Sequence, residues 1–526
     1  MQETSGTPLW HRTNNFSPRL GFAWDVKGDS KWVVRGGGSL IYIITGFNAF
    51  TSQQGIAGIS VLGLNFDPTG ALLDGVPGPG SITTGQVQIP PSQLNWTIAG
   101  PVVPGNGQIR CDTPLAPGGG AAAAPNNKPC PILYVDPNFG RPSAGQWNLS
   151  VQHAFNNNVS LQVAYIGTRG IGLFGMNDIN APALGSGWAT LPAGAKTCVP
   201  IAPGRIATAA ASTVCENMSR PYFSKFPYLS NIIEISDQDF STYNAMQATL
   251  TGRPSHGLSY LVGNTFAHAL SEADGDWNGS SLPKDPFDIR QSLGNSNVDV
   301  RNRLTASITY LLPGKKGYKQ FLEGWKLNSI INVQSALPWS VTDTTNAISG
   351  LGEQADTWSF YGNPKSFDGL GAGPAIPYFS GSTNPACATQ AASLDAGYTP
   401  IAPGYTYSNA LAKFGCYDLN GSLLMPPAFG TIGNASTGMF RGIGLKLWDA
   451  SLEKEVHFSE RFDGTFRFEV FNVLNKTQFA APSGTMAAAG NANFGISTAT
   501  PDVQISNPSV GSGAPRGIQL GFKLAF

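Results

Sequence analysis

Residues 516–526, RGIQLGFKLAF, set Ile518, Leu520, Phe522, Leu524 and Phe526 in strict alternation with Gln519, Gly521, Lys523 and Ala525. A period of two gives a strand one apolar face and one polar face. The last residues of a soluble domain commonly fray in water. These instead read as a working strand whose two sides meet different surroundings, Ile518 to Phe526 facing lipid and Gln519 and Lys523 facing a lumen.

The same period recurs in segments of about ten residues, as membrane-barrel strands require. In QWNLSVQHAF (146–155), Trp147, Leu149, Val151, His153 and Phe155 alternate with Asn148, Ser150, Gln152 and Ala154. In RLTASITYLL (303–312), Leu304, Ala306, Ile308, Tyr310 and Leu312 alternate with Arg303, Thr305, Ser307 and Thr309. WDASLEKEVHF (448–458) sets Trp448, Ala450, Leu452, Val456 and Phe458 against Asp449, Ser451, Glu453, Glu455 and His457. The pattern predicts about eleven strands: 16–26, 31–44, 145–155, 159–171, 240–253, 257–270, 297–312, 323–342, 444–458, 465–475 and 515–526.

The connections alternate as well. Short polar turns at 26–31, 156–160, 253–257 and 459–464 read as hairpins. Between hairpins lie segments predicted to be long and irregular, roughly 45–143, 173–238, 272–296, 344–442 and 477–514. Loops of that length are uncommon in compact soluble domains, whereas outer-membrane barrels pair short periplasmic turns with long external loops. The expected fold is therefore all-β, an antiparallel transmembrane β-barrel, with residues 1–526 one barrel domain. Counting back from a periplasmic C-terminus starts the first strand outside, and bacterial barrels normally have an even strand number. The expectation is a partial barrel, to which strands encoded upstream belong. Aromatics near strand ends, namely Phe22, Trp24, Trp32, Trp147, Phe155, Tyr165, Tyr260, Trp325, Trp339, Trp448, Phe458 and Phe526, are expected at headgroup level.

Composition agrees. Lys plus Arg and Asp plus Glu are each 32, so zero net charge gives no electrostatic case for nucleic acid. Charged residues are only 12% of the chain, about half the usual share, which leaves much surface to face something other than water. No apolar run approaches the roughly 18 residues of a transmembrane helix, and MQETSGTPLWHRTNNF lacks a secretory pattern. Six cysteines fall as Cys111 with Cys130, Cys198 with Cys215 and Cys387 with Cys416, each pair within one Pro-, Gly-, Ser- or Ala-rich segment. Local disulfides would close three loops and imply an oxidising compartment, hence export with a signal lying upstream. The alternative is six buried thiols; no spacing supports zinc.

Catalytic chemistry finds little to build on. His11, His153, His256, His268 and His457 sit in different hairpins, there is no GxSxG, and the glycines at 36–38 read as a strand kink rather than a phosphate cradle. No enzyme activity and no cofactor is expected. DGDWNGSSLPKD (274–285) places Asp274, Asp276, Asn278, Gly279 and Asp285 at EF-hand calcium positions, although position 12 is Asp and strands flank it, so a solvated acidic loop is the plainer reading. VDVRNR (298–303) is expected to put Asp299, Arg301 and Arg303 on one strand face, as a steering wall or as charges that neutralise one another.

FSPRLGFAWDVKGDSKWVVRGGGSLIY, STYNAMQATLTGRPSHGLSYLVGNTFAHALSEADG, DVRNRLTASITYLLPG, GWKLNSIINVQSALPWSV, LWDASLEKEVHFSERFDGTFRFEVFNVLNKTQF and PRGIQLGFKLAF together resemble TonB-dependent outer-membrane transporters. They resemble especially the large Oar-like members with a carboxypeptidase-regulatory-like N-terminal domain. The resemblance runs from about residue 16 to the end and omits the loops. It implies a 22-strand barrel holding a plug, uptake of an unidentified solute energised through TonB, and Phe526 as the terminus read by the barrel-assembly machinery. Against that pattern, this chain is expected to be the C-terminal half of such a barrel, with the plug through which TonB would act lying outside the matching stretch. The partners implied are outer-membrane lipid, the assembly machinery and an unknown ligand. A surface-interaction barrel is the rival reading, and a secreted soluble β-sandwich a third.

Overall fold

A computed structural model of the chain describes residues 16–43, 95–97, 100–102, 130–136, 139–202, 205–225, 229–272, 282–315, 320–343, 348–351, 356–371, 373–459, 461–486, 490–501, 513 and 515–526. The alternating segments form eleven strands, each hydrogen-bonded to the next in chain order. They are β1 (Arg19–Asp25), β2 (Trp32–Tyr42), β3 (Ser143–Ala154), β4 (Val159–Asp178), β5 (Leu229–Ser255) and β6 (Leu258–Ser271), followed by β7 (Asn302–Leu311), β8 (Trp325–Gln334), β9 (Leu445–Ser459), β10 (Phe462–Phe471) and β11 (Gly517–Ala525). Every pairing along this path is antiparallel. Among the described residues, β1 and β11 each have a neighbour on one side only.

Register keeps the two faces apart. Leu327, Leu452, Phe468 and Leu520 stand opposite one another on successive strands, and the next row along holds Lys326, Glu453 and Arg467. The apolar row faces away from protein, with Leu520 78% exposed and Ile518 63%. In water such a surface would drive association; against acyl chains it is the expected wall. The charged row closes on itself. Glu453 bridges Lys326 at 2.8 Å and Arg467 at 3.1 Å. Two polar side chains on the apolar face find partners within it: Tyr165 donates to Asn244 Oδ1 at 2.7 Å, and the Trp448 indole donates to Ser329 Oγ at 2.9 Å. No helix among the described residues is long and apolar enough to cross a membrane.

Aromatic rings on the outer face lie over glycines directly across the strand pair: Phe22 over Gly36, Trp147 over Gly167, Tyr260 over Gly252. A Cβ on Gly167 would sit 2.2 Å from the Trp147 indole, whereas one on Gly145 would approach that ring no closer than 4.0 Å. Gly167→Val is therefore expected to destabilise the wall by about 1–3 kcal/mol through overpacking. Gly145→Ala should change it by about 0.5 kcal/mol or less. Thermal unfolding in detergent compares the two, and equal effects would remove the steric account.

Four expectations need correction. The Gly36–Gly38 run is no kink, since the β2–β3 register passes through it without a shift. β4 continues to Asp178 and β5 starts at Leu229, beyond the expected limits of 171 and 240, and β8 stops at Gln334. Trp339 is not a headgroup aromatic; it is buried, 5% exposed, among Phe440 and Phe494. Finally, the long connections are far from irregular. They carry helices α1 (Thr213–Ser219), α2 (Pro385–Asp395) and α3 (Tyr407–Phe414), and a four-stranded sheet ordered Ser359–Tyr361, Ser422–Met425, Cys416–Leu419, Tyr378–Phe379.

Candidate functional site

The largest buried core of the described chain lies in these connections, at the end of the wall opposite the short turns. Trp188, Trp358, Tyr417, Phe367, Phe429, Phe440 and Phe494 are all fully buried, and they come from three different connections. Trp188 meets Phe429 edge-on at 4.4 Å between centroids, and Phe440 stacks on Phe367 at 5.0 Å. Burying each ring contributes on the order of 2–3 kcal/mol, which is how segments without wall strands acquire a fixed fold. The result is a cap.

Two disulfides staple it. Cys387–Cys416 joins α2 to the sheet strand Cys416–Leu419, and Cys198–Cys215 joins the chain after Thr190 to α1, the pairings that proximity in sequence predicts. Gly415 ends α3 at φ +70°, and a Cβ there would lie 2.2 Å from the Phe379 carbonyl, so the reversal into Cys416 requires glycine. Of the Cys111–Cys130 pair, Cys111 lies outside the described residues and Cys130 is placed only by its backbone strand, Cys130–Val135, which runs parallel to β5.

A clasp fastens cap to wall. The Asp299 carboxylate accepts from Ala269 N of β6 at 2.6 Å and from Arg301 Nε at 3.0 Å, and it pairs with Arg441 Nη2 at 2.5 Å. Arg441 N–H in turn donates to Asp368 Oδ1. This corrects the expectation that Asp299, Arg301 and Arg303 share a strand face. Asp299 is buried before β7 begins and only Arg303 lies in the strand, so the mutual-neutralisation reading fits the first two. Of the calcium candidates, Asp274, Asp276, Asn278 and Gly279 lie outside the described residues. Asp285 is buried, accepting from Phe287 N at 2.8 Å and Gln291 Nε2 at 3.1 Å, so its carboxylate is already used locally. Phe526 is 95% exposed at the short-turn end.

Sequence reasoning missed the cap's buried charges. Arg220, just after α1, pairs with Asp178 at 3.2 Å, both side chains almost wholly buried. Glu216 on α1 is buried against Gly187. Burial, opposed by Arg220 and reinforced by Asp356, pushes its carboxyl up to about 7. Asp356 is also pushed up by burial, to about 6, although Ser349 and the Ile348 N–H work against that. No periodicity marks these residues, because their burial depends on contacts between distant connections.

A meander of amphipathic strands with apolar residues outside, short turns at one end and a folded cap at the other is the build of an outer-membrane barrel protein. The chain matches the family described as outer membrane beta barrel domain over residues 3–519, and it belongs to that family. Its place is the outer membrane. No curated protein matches it. Among solved structures it is similar to the Escherichia coli outer membrane transporter YddB, at 9% identity and a TM-score of 0.41, covering 97% of this chain and 40% of that one. It is also similar to the Pseudomonas aeruginosa ferric enterobactin receptor PfeA in a mutant form (9%, TM-score 0.37, 97% and 40%). A third is the Pseudomonas aeruginosa ferripyoverdine receptor bound to ferripyoverdine (8%, TM-score 0.36, 98% and 33%). The chain thus spans 40% or less of the length of these proteins.

Proposed function

We propose that this chain supplies the C-terminal wall and external cap of a TonB-dependent transporter that takes up a solute too large or too scarce for diffusion through porins. The observation that carries this reading is the sheet itself: its inner rows are polar, and its two edges are unpaired among the described residues. Unpaired backbone groups cannot rest in acyl chains. Eleven strands in antiparallel succession leave β1 and β11 pointing the same way, so they cannot join each other by antiparallel pairing. An odd number of further strands completes the cylinder, which agrees with the 22 implied by the resemblance to Oar-like transporters. A plug carried with those strands provides the contact with TonB. Phe526, exposed at the periplasmic end of β11, serves as the signal for barrel assembly. The cap's outer surface contacts the solute first, and the chain has no catalytic part in uptake.

The test deletes the gene for the whole protein and follows uptake on a panel of scarce nutrients, with and without a protonophore. Expected is loss of one solute's uptake that the protonophore mimics. Unchanged uptake throughout, together with altered cell attachment, would establish the rival reading as a surface-interaction barrel. In parallel, Ala23→Cys with Lys523→Cys, on the inner faces of β1 and β11, is expected to yield no intrachain disulfide. A bond between them would mean that the eleven-strand sheet closes on itself.

A further inference from the structure

Connections 179–228 and 335–444 meet along a seam. Gly185 N donates to Ser349 O at 2.7 Å, Gly187 N to Gly350 O at 3.1 Å, and the Trp188 indole to Ile348 O at 3.1 Å. The approach is close enough that a Cβ on Gly350, at φ +71°, would lie 3.0 Å from Gly185 Cα. Two buried carboxylates flank the 348–350 turn at the centre of this seam, one from each connection. Asp356 ties the turn from within, accepting from the N–H groups of Ile348 and Ser349. Glu216 reaches it from α1, with its Oε1 2.5 Å from where a Gly187 Cβ would be, and Gly350 packs on that same glycine. The charged groups facing the pair are few. Arg220 is held by Asp178, Asn180 O and Asn217; Asp343, itself buried and accepting from the Trp358 indole at 2.7 Å, adds a third acid beside Asp356. Lys413, over the Trp188 ring, spends its protons on the Ala207 and Ala209 carbonyls.

The geometry points to a pH-sensitive latch in the external cap, in which the two connections close while Glu216 is protonated beside Asp356 and the seam is pushed apart once both carboxyls are charged. Acids pushed up on folding favour the closed seam below their ordinary range, and that advantage is lost as pH rises through the folded values. For Glu216 the window runs from about 4.5, the ordinary Glu value, to about 7, and for Asp356 from about 3.8 to about 6. The closed cap therefore belongs to mildly acidic surroundings, and alkaline surroundings loosen it. The latch is independent of whether the barrel transports anything.

Amide exchange on the full protein in outer-membrane fragments tests it, corrected for the intrinsic pH dependence of exchange. Protection of Gly185, Gly187 and Gly430, whose N–H groups donate to the 348–350 turn, is expected to fall on the order of 100-fold between about pH 5 and pH 8.5. The fall is expected to level off at about 7. Glu216→Gln should remove the part of the fall above about pH 6, where only Asp356 is left to titrate, and Asp356→Asn should lower the pH at which the fall levels off by removing the facing charge. Wild-type protection that does not change with pH overturns the latch, as does a Glu216→Gln protein whose protection still falls between about pH 6 and pH 7. If either variant misfolds, the wild-type titration still decides.

Discussion

Asp178→Ala is expected to weaken the junction of wall and cap by about 3–5 kcal/mol, the cost of stranding a buried charge. Asp178 ends β4, and its carboxylate gathers Asn180 N and Ile232 N at 2.9 Å each and Arg220 at 3.2 Å. Removing it frees two buried N–H groups and leaves the Arg220 guanidinium facing the peptide carbonyl of Asn180, at 2.7 Å, with its main counter-charge gone. Replacing both members, Asp178→Ala with Arg220→Met, should restore at least half of the loss, because an apolar pair does not carry the desolvation penalty. Amide exchange at Asn180 and Ile232 measures it. A single-variant cost below about 1 kcal/mol would show that water reaches the pair.

Cys387→Ser with Cys416→Ser is expected to be as damaging. The bond closes a loop with a sequence separation of 29 residues, worth about 3–4 kcal/mol in the chain-entropy model. Both sulfurs are wholly buried beside Leu411 and Met425, so each new hydroxyl adds a desolvation cost of about 1–3 kcal/mol. The same exchange at Cys198 and Cys215 should cost less, since Cys198 is only partly buried. Resistance of the cap to protease, followed with and without reductant, separates these cases; a reductant-insensitive cap would refute the first.

The wall was legible because the membrane enforces a two-residue period. Leu520 beside Gln519, or Leu452 beside Glu453, announces its face without knowledge of any partner. Where lipid stops, that signal stops. Phe174 and Met176 in β4 and Ile233 and Ile235 in β5 lie above the expected strand limits and pack with Phe139 in a small core of their own. Ile232 and Ile233 are both buried although they point to opposite faces, so the alternation vanishes while the strand continues. In the cap, Trp188, Trp358 and Phe494 sit in Gly- and Pro-rich sequence whose local pattern resembles loop. Their burial comes from meeting residues as distant in sequence as Phe429 is from Trp188, which no local period records. Trp339 was misread for the same reason: an aromatic beside a strand end faces headgroups or a protein core according to what folds above it. The disulfide pairs were the one part of the cap that short-range sequence could suggest.

β5 has one more consequence. Its 27 residues, at about 3.3 Å each, make a rod about 90 Å long, roughly three times the hydrocarbon thickness before tilt is counted. The strand is a mast as much as a stave. It fixes the stand-off height of the folded crown, so that ordered protein continues tens of ångströms past the lipid at that end of the wall.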